Sequence, residues 1–213
     1  MNIELALSWR DALRSRRFLM LGAGTAVFLI GALLSLNSYL QFNEQRSGVA
    51  LADPVLARLP AVELSWAIFA LIYGSLIATV VSLARQPRPL VIALQAYALL
   101  AVVRIAMMYT IPLEAPAGMI MLVDPLVRVF GGGENWAKDL FFSGHTSTTF
   151  LCALSVRSRP LKLACFVACA TVAVFVLLQH VHYTIDVLVA PFVAFGTLHL
   201  ARAVSGWVLD RQR

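Results

Sequence analysis

Two short segments near the end of the chain carry residue types suited to phosphate chemistry. Residues 143–146 read Ser-Gly-His-Thr, and residues 182–186 read His-Tyr-Thr-Ile-Asp. His182 and Asp186 are four residues apart, so a helix would place them on one face. Each segment begins a strongly apolar stretch, and titratable groups at a membrane boundary are costly and usually functional. The pattern predicts a membrane enzyme that acts on a phosphate group.

Two histidines and an aspartate are the residue types that attack on a phosphate ester requires. An imidazole is largely neutral at physiological pH and can use one ring nitrogen as a nucleophile. We therefore predict His182 as the nucleophile, with Asp186 accepting a hydrogen bond from the other ring nitrogen and supporting the positive charge that develops. We predict that His145 protonates the departing oxygen. The alternative is that His182 and Asp186 form a polar pair that only joins helices.

Further residues near these segments are candidates for binding the phosphate. Arg104 and Lys138 offer cations, although an arginine near a helix end can instead extend its charge to the membrane interface. Backbone amides at helix starts attract anions, and Gly144 allows the backbone to approach closely. Ser143 is a candidate either for contacting the phosphate or for capping a helix.

The composition places these segments in a membrane protein. Of 213 residues, 60% are hydrophobic and only 13% are charged, against about a quarter charged in a typical soluble domain. Mean hydropathy is +0.81. The net charge of +6 fits attraction to anionic lipid better than nucleic-acid binding, because the basic residues fall between apolar segments. The expected partners are therefore the bilayer and its lipids, and not a nucleic acid.

The sequence predicts an all-α, polytopic membrane protein with six transmembrane helices. A span needs about 20 apolar residues, and the candidates are residues 18–40, 63–84, 90–111, 140–156, 161–179 and 183–204. Residues 18–204 then form a single membrane catalytic domain. Residues 1–17 form a cytoplasmic segment with a predicted interfacial helix, and residues 205–213 form a cytoplasmic tail.

The distribution of basic residues predicts the orientation. Twelve Lys and Arg residues lie in or next to the N-terminal segment, the connections after the second and fourth spans, and the tail, counting Lys162 and Arg202 near the ends of their spans, whereas four lie in the other three connections. Because basic residues concentrate on the cytoplasmic side, both termini are predicted to be cytoplasmic. This topology places Arg104, His145, His182 and Asp186 at one and the same non-cytoplasmic face.

The motifs resemble those of a known family. Residues 138–146 resemble the third conserved motif of the sphingomyelin synthase family, residues 180–187 resemble its fourth, and residues 104–112 resemble its second. That family lies within the type 2 phosphatidic acid phosphatase superfamily. The family's first motif is only faintly suggested, by Asp53-Pro54 and Leu59-Pro60, and Val176 stands where ordinary phosphatases of the superfamily carry an arginine.

The resemblance implies a six-helix membrane fold and a covalent phosphohistidine mechanism that uses no metal or other cofactor. It gives His182 the role of nucleophile, Asp186 that of its orienting partner and His145 that of general acid and base. Asp139 stands where family members carry an acidic residue associated with head-group handling, and Tyr109 belongs to the second motif. Both are therefore expected to contact the substrate.

Three functions remain open from the sequence. The first is a phosphotransferase that moves a phospho-head-group from a glycerophospholipid to a lipid alcohol such as ceramide or diacylglycerol. The second is a lipid phosphate phosphatase or phospholipase C-type hydrolase with the same intermediate. The third, a transporter or binding protein, is disfavoured because no mid-membrane charges mark a path. The compact chain suits a bacterial inner membrane with the site facing the periplasm, or a eukaryotic membrane with a lumenal site; the oligomeric state is not predicted.

Residues 115–133 are apolar at first but too short to span, since Asp124-Pro125 interrupts them and three glycines occupy positions 131–133. We predict an interfacial lid or re-entrant element over the phosphate site. The alternative is a surface loop that dips into lipid.

Overall fold

The chain is built from helices joined by loops. In the computed structural model, which describes residues 8–124 and 136–210, those ranges contain seven α-helices, one 3₁₀ turn and no strand. The helices are α1 (Trp9–Arg14), α2 (Arg16–Glu44), α3 (Ser65–Leu83), α4 (Pro87–Thr110), α5 (Gly144–Ser155), α6 (Arg159–Leu178) and α7 (Thr184–Asp210), and the 3₁₀ turn is Leu56–Arg58. This all-helical architecture is consistent with a polytopic membrane protein.

Five of these helices, α2, α3, α4, α6 and α7, are long and apolar enough to cross a bilayer. Each of them overlaps one of the predicted spans. The fourth predicted span, residues 140–156, contains only the 12-residue helix α5. Twelve residues rise about 18 Å, against about 30 Å for the hydrocarbon core, so α5 does not cross the core by itself. The count of six spans and the cytoplasmic position of both termini remain predictions.

Helix α5 differs from the five long helices because it is mostly buried and rich in hydroxyl groups. Eight of its 12 residues are buried. Ser147 donates a hydrogen bond to the carbonyl of Gly144, and Thr149 donates to the carbonyl of His145. These bonds satisfy hydroxyl groups that lipid tails could not satisfy. The sequence of α5 is therefore suited to the bundle interior, which explains why its apolar pattern is weaker than that of a full span.

Local sequence signals account for the starts of several helices. Ser8 accepts a hydrogen bond from the backbone N–H of Asp11 at the start of α1, and Ser15 accepts one from Phe18 at the start of α2. Serine is a favoured N-cap because its hydroxyl oxygen takes an amide that has no intrahelical partner. Helices α4 and α6 carry a proline in their first turn, where the missing N–H costs nothing. Helix α1 lies within the predicted N-terminal segment, and its place at a membrane interface stays a prediction.

Apolar side chains pack together at one end of the bundle, and polar contacts lie at the other. Phe18, Val91 and Leu209 pack together, so the starts of α2 and α4 and the end of α7 meet at one end. At the other end, Asn43 donates a 2.7 Å hydrogen bond to the carbonyl of Lys138. The candidate site residues lie at this second end, which we call the site end.

Apolar clusters surround α5. One cluster joins α4, α5 and α7, and four of its eight buried members are alanines: Ala96, Ala190, Ala194 and Ala201. Small residues let membrane helices approach closely. A second cluster joins α3, α6 and the start of α7.

The connections at the site end are paired with each other. Val49 and Leu113 form a parallel bridge. A Cβ at Gly48 would lie 2.8 Å from the backbone nitrogen of Glu114, so only glycine permits this approach. The α2–α3 connection and the start of the α4–α5 connection therefore form one layer over the site end.

The described part of the predicted lid, residues 115–124, is tied to the bundle. The buried Gln179 side chain donates to the carbonyls of Ile120 and Met121, and the backbone N–H of Ile120 donates to the Gln179 carbonyl. Residues 125–133 lie outside the described ranges. A lid function for 115–133 stays a prediction.

Candidate active site

The two histidine segments meet at the starts of α5 and α7. The backbone N–H of Ser143, just before α5, donates a 3.0 Å hydrogen bond to the carbonyl of Asp186 in the first turn of α7. Ser143 also caps α5, because its hydroxyl oxygen accepts from the backbone N–H of Thr146. Its side chain therefore has the capping role that the sequence offered as an alternative to a substrate contact.

The three residues predicted to be catalytic form a continuous chain of hydrogen-bonding atoms. Nδ1 of His182 lies 3.3 Å from Oδ2 of Asp186, and Nε2 of His182 lies 3.3 Å from Nδ1 of His145. The imidazole ring centroids are 5.6 Å apart. His182 and Asp186 are almost fully buried, with exposures of 2% and 1%, whereas His145 is half-buried.

The contacts favour one assignment of protons. An ionised carboxylate only accepts, so Nδ1 of His182 donates to Asp186 and Nε2 keeps its lone pair. Nδ1 of His145 then donates to that lone pair. In this assignment Nε2 of His182 carries the lone pair that a nucleophile needs, and that lone pair accepts a hydrogen bond from Nδ1 of His145.

The carboxylate of Asp186 is held by backbone as well as by the ring. Oδ2 also accepts a 3.1 Å hydrogen bond from the backbone N–H of Tyr183. Oδ1 is buried and has no hydrogen-bond partner among the described residues. The carboxylate is thus fixed in place but retains unused acceptor capacity.

Unusual backbone conformations precede both histidine segments. Phe141 has φ 71° and His180 has φ 56°, and these are the non-glycine residues with positive φ in the described ranges. Such conformations are sparsely populated and cluster at functional sites. Each lies two residues before one of the interacting positions, Ser143 and His182. The sequence contained no signal for either conformation.

Arg104 lies directly over the start of α5. It forms an ion pair with Asp139, and a Cβ at Gly144 would collide with its guanidinium group. The side chains of Arg104 and Asp139 are 14% and 20% exposed. Nε of Arg104 and Oδ1 of Asp139 are buried without partners among the described residues. Gly144 is therefore required for the approach of Arg104, whereas the approach of its backbone to a phosphate stays a prediction.

Lys138 does not face the histidines. Its ammonium donates to the carboxylate of Glu114 at 3.0 Å and to the carbonyl of Arg46 at 2.7 Å. A hydrogen bond from the backbone of Gly48, together with that of Lys138, lowers the pKa of Glu114. The cation that the sequence assigned to the phosphate is thus engaged in a separate ion pair at the site end.

Tyr109 also lies away from the histidines. Its side chain is 62% exposed, and its ring is 5.3 Å from the Arg46 guanidinium carbon. The second motif therefore contributes Arg104 to the cluster and directs Tyr109 to the outer surface. A pattern of residue types does not specify which side of the helix end each side chain occupies.

The backbone N–H groups at the starts of α5 and α7 differ in whether they already have a hydrogen-bond acceptor. At α7, the N–H of Tyr183 donates to Asp186 and the N–H of Thr184 donates to Asp53, so carboxylates already occupy the positions we expected a phosphate to take. At α5, the N–H groups of Gly144 and His145 have no acceptor among the described residues. The free amides therefore lie beside Arg104.

Two residues that had no predicted role in the site, Asp53 and His180, hold its surroundings together. Asp53 accepts hydrogen bonds from the backbone and side chain of Thr184. His180 contacts the carbonyls of Ala117 and Leu59 through its two ring nitrogens, at 3.1 and 3.2 Å. The faint first motif around Asp53-Pro54 was the only sequence signal for any of these contacts.

The electrostatics of Asp53 follow from its partners. Burial raises its pKa, but hydrogen bonds from the Thr184 backbone, the Leu56 backbone, the Thr184 hydroxyl and the Val55 backbone outweigh that effect. The pKa of Asp53 therefore lies below its ordinary value. The carboxylate is thus ionised at neutral pH at the start of α7.

Within residues 8–124 and 136–210, no group of three or more His, Cys, Asp and Glu side chains is arranged to hold a metal ion.

The model of the family described as PAP2 superfamily C-terminal matches residues 138–203, a little under a third of the chain. The matched region runs from the segment before α5 into α7 and includes both histidine segments. No curated protein matches the chain significantly. The family match supports placing this chain in the type 2 phosphatidic acid phosphatase superfamily.

Proposed function

We propose that this protein is a lipid head-group phosphotransferase that works through a phosphohistidine on His182. The observation that carries the proposal is the chain of contacts from Asp186 through His182 to His145. The superfamily match supports phosphoryl transfer on a lipid. The sphingomyelin synthase-like motifs support transfer to a lipid alcohol such as ceramide or diacylglycerol.

The reaction has two steps. In the first, Nε2 of His182 attacks phosphorus of a glycerophospholipid, the bond from phosphorus to the diacylglycerol oxygen breaks, and His145 gives that oxygen a proton. Asp186 stabilises the cationic phosphorylated imidazole. In the second step, His145 removes the proton of a lipid alcohol, whose oxygen attacks phosphorus and releases His182. Protons and bonds balance over the cycle.

The contact between the two rings implies a movement on binding. At 3.3 Å, Nδ1 of His145 and Nε2 of His182 touch, and no phosphorus can lie between them. His145 is the more exposed of the two and lies in the first turn of α5. We therefore expect His145 to rotate when the substrate enters, and to exchange its contact with His182 for one with the ester oxygen.

The charges around the site favour a phosphodiester over a phosphomonoester. Arg104 is already paired with Asp139 and Lys138 with Glu114, and the carboxylates of Asp186 and Asp53 add further negative charge at the start of α7. A phosphodiester carries one negative charge, whereas a monoester carries about 1.5 to 2 at neutral pH. A monoester therefore meets more repulsion. This favours transfer of an intact head group over hydrolysis of a lipid phosphate.

Unpartnered atoms suggest how the substrate is held. The Nε–H of Arg104 and the N–H groups of Gly144 and His145 are donors suited to the phosphoryl oxygens. Oδ1 of Asp139 is an acceptor beside them, suited to an ammonium or hydroxyl of the head group. On binding, the phosphoryl group would contact Arg104, and the ammonium or hydroxyl of the head group would contact Asp139.

Burial of His182 and Asp186 supports a lipid alcohol rather than water as the second acceptor, because a phosphohistidine at this depth meets little water. The test uses purified protein in lipid with a labelled phospholipid, with and without a lipid alcohol. Labelled transfer product that requires the alcohol is expected. Release of a water-soluble labelled phospho-head-group without the alcohol would contradict transfer and indicate the hydrolase alternative.

The histidine roles are tested with a matched control. His182→Ala should abolish turnover while the protein stays folded, and His145→Ala should slow departure of diacylglycerol. His199→Ala is the control, because His199 is an exposed residue of α7 stacked on Phe195. His182→Ala activity within about tenfold of the parent would refute the nucleophile assignment.

From the distribution of basic residues along the sequence, we also propose an orientation for the site. The site end would face the periplasm of a bacterial inner membrane, and the end formed by the starts of α2 and α4 would face the cytoplasm. Labelling of single cysteines at positions 51 and 85 in intact cells tests this. Position 51 lies in the site-end layer, and position 85 follows α3, so only position 51 should react with an impermeant reagent.

A further inference from the structure

At the start of α7, the Asp186 side chain accepts the backbone N–H of Tyr183, but the backbone N–H of Thr184 donates to a residue from another part of the chain. The residue before Thr184 is Tyr183, and a tyrosine ring cannot accept a hydrogen bond from the amides of the following turn as Ser, Thr, Asn or Asp can. The Tyr183 hydroxyl is directed elsewhere: it donates to the carbonyl of Glu114 at 3.0 Å and accepts from the backbone N–H of Leu51 at 3.2 Å. The start of α7 therefore needs an acceptor from another part of the chain.

Asp53, in the α2–α3 connection, supplies that acceptor. Oδ2 accepts a 2.7 Å hydrogen bond from the backbone N–H of Thr184, and Oδ1 accepts one of 3.0 Å from the Thr184 hydroxyl. Oδ1 also accepts from the backbone N–H groups of Val55 and Leu56. One carboxylate thus fastens the 3₁₀ turn of the α2–α3 connection to the first residue of α7. A negative charge is favourable here because a helix start carries partial positive charge.

The fastened turn is the one that contains the proposed nucleophile and its partner. Thr184 lies between His182 and Asp186, and the Asp186 carboxylate takes the amide of Tyr183, next to Thr184. The Asp186 carbonyl in turn receives the N–H of Ser143 at the start of α5. A shift at Thr184 would therefore change both the His182–Asp186 contact and the position of α5.

We propose that Asp53 is a positioning residue for the phosphotransfer reaction, acting through Thr184 to fix the His182–Asp186 pair. The inference rests on the proposed function. Asp53 touches neither histidine in the contacts described, so its effect should appear in the rate of the chemical step and not in substrate affinity. Displacements of about 1 Å at a reacting group can cost about 100-fold in rate.

The kinetic test compares variants of both partners. Asp53→Ala should lower kcat about 10- to 100-fold while KM stays within about threefold of the parent. Thr184→Val should lower kcat less than Asp53→Ala does. Thr184→Ser should have the kcat of the parent, because serine keeps the hydroxyl. The double variant Asp53→Ala/Thr184→Val should be no slower than Asp53→Ala alone, because Asp53→Ala already removes the hydroxyl hydrogen bond that Thr184→Val removes.

The matched control is Glu63→Ala. Glu63 is an exposed carboxylate that accepts the backbone N–H of Ser65 at the start of α3, so it lies near a helix start but contacts nothing in the catalytic turn. Its kcat should equal that of the parent. An unchanged kcat per folded molecule in Asp53→Ala would overturn the proposal. If Asp53→Ala does not fold, Asp53→Asn and Thr184→Val decide by the same criterion.

A second measurement does not need turnover. Diethyl pyrocarbonate modifies accessible neutral imidazoles, and peptide mass spectrometry reports the rate at His182 relative to His199. Asp53→Ala should raise the relative rate at His182 about fivefold, the local opening that loss of a typical helix cap produces, and Glu63→Ala should not. Equal rates in Asp53→Ala and the parent would overturn the positioning role. An inactive parent would refute the proposed function while leaving this result interpretable.

Discussion

Replacing Asp186 by asparagine isolates the charge of the orienting group from its shape. In the structure only Oδ2 accepts hydrogen bonds, one from the His182 ring and one from the Tyr183 N–H, whereas Oδ1 has no partner among the described residues. An asparagine can therefore place its carbonyl oxygen where Oδ2 lies and its amide nitrogen where Oδ1 lies. Both hydrogen bonds survive, and only the negative charge is lost.

The magnitude follows from the distance between the carboxylate and the ring. When Nε2 of His182 bonds to phosphorus while Nδ1 keeps its proton, the ring becomes a cation. Unit charges 3.3 Å apart attract by about 5 kcal/mol at an effective dielectric constant of about 20. The retained hydrogen bond keeps about 1 kcal/mol, and relief of the buried charge lowers the net loss further. We expect a loss of about 3 kcal/mol, or about 150-fold in kcat.

The assay is head-group transfer by purified Asp186→Asn in lipid, with kcat and the amount of trapped phosphohistidine measured together. Both should fall, while the midpoint of thermal unfolding stays near that of the parent because packing is conserved. Asp186→Ala should be slower still, since it also leaves the amide of Tyr183 without an acceptor. An Asp186→Asn enzyme within about tenfold of the parent would show that the carboxylate does not stabilise a cationic ring, and the nucleophilic role of His182 would lose its support.

Three further predictions test the surroundings of this pair. Gly144→Ala should lower kcat about 100-fold with little loss of stability, because its methyl group displaces the flexible Arg104 guanidinium. The control Gly74→Ala, at a position with open space around it, should match the parent. A fully active Gly144→Ala would argue against Arg104 as the phosphate ligand. Lys138→Met should lower kcat less than about tenfold, because its ammonium is bound away from the histidines; a larger loss with unchanged unfolding temperature would return Lys138 to the substrate. The folded-state pKa of Asp53 lies below its ordinary value of 3.8, so its contribution to stability is present above that pH and is lost as the pH falls through the folded-state value. Unfolding of Asp53→Asn should therefore occur at lower temperature than that of the parent at neutral pH, and the difference should close in acid; a constant difference would contradict the lowered pKa.

Local patterns in the sequence predicted the elements on which the site is built. Apolar runs located the five long helices, because a span is set by the length of consecutive residues that lipid can solvate. The four-residue spacing of His182 and Asp186 predicted that they share a helix face. The two side chains do meet, but His182 lies two residues before α7, so the contact forms across the start of the helix and not along one face of it. The glycine at 144 predicted an approach of the backbone to a phosphate, and the structure shows a different approach there, that of the Arg104 guanidinium.

The sequence was less informative where side chains compete for partners. Lys138 and Arg104 looked equivalent as cations, but Glu114 binds the first and Asp139 binds the second. The amides at the start of α7 looked free for phosphate, but Asp53 lies 131 positions away and takes one of them. The choice of partner in each case depends on loops that meet only after the chain has folded.

The sequence by itself determined which helices form and which residues share a helix face, since both depend on neighbours within a few positions. Only the tertiary structure decided that His145 meets His182, that Arg104 lies over Gly144, and that α5 is a short helix whose residues are mostly buried. Those outcomes depend on how separate helices pack and on which connection covers their ends. Contacts between distant segments are set by the packing of the whole bundle, and no local pattern contains that information.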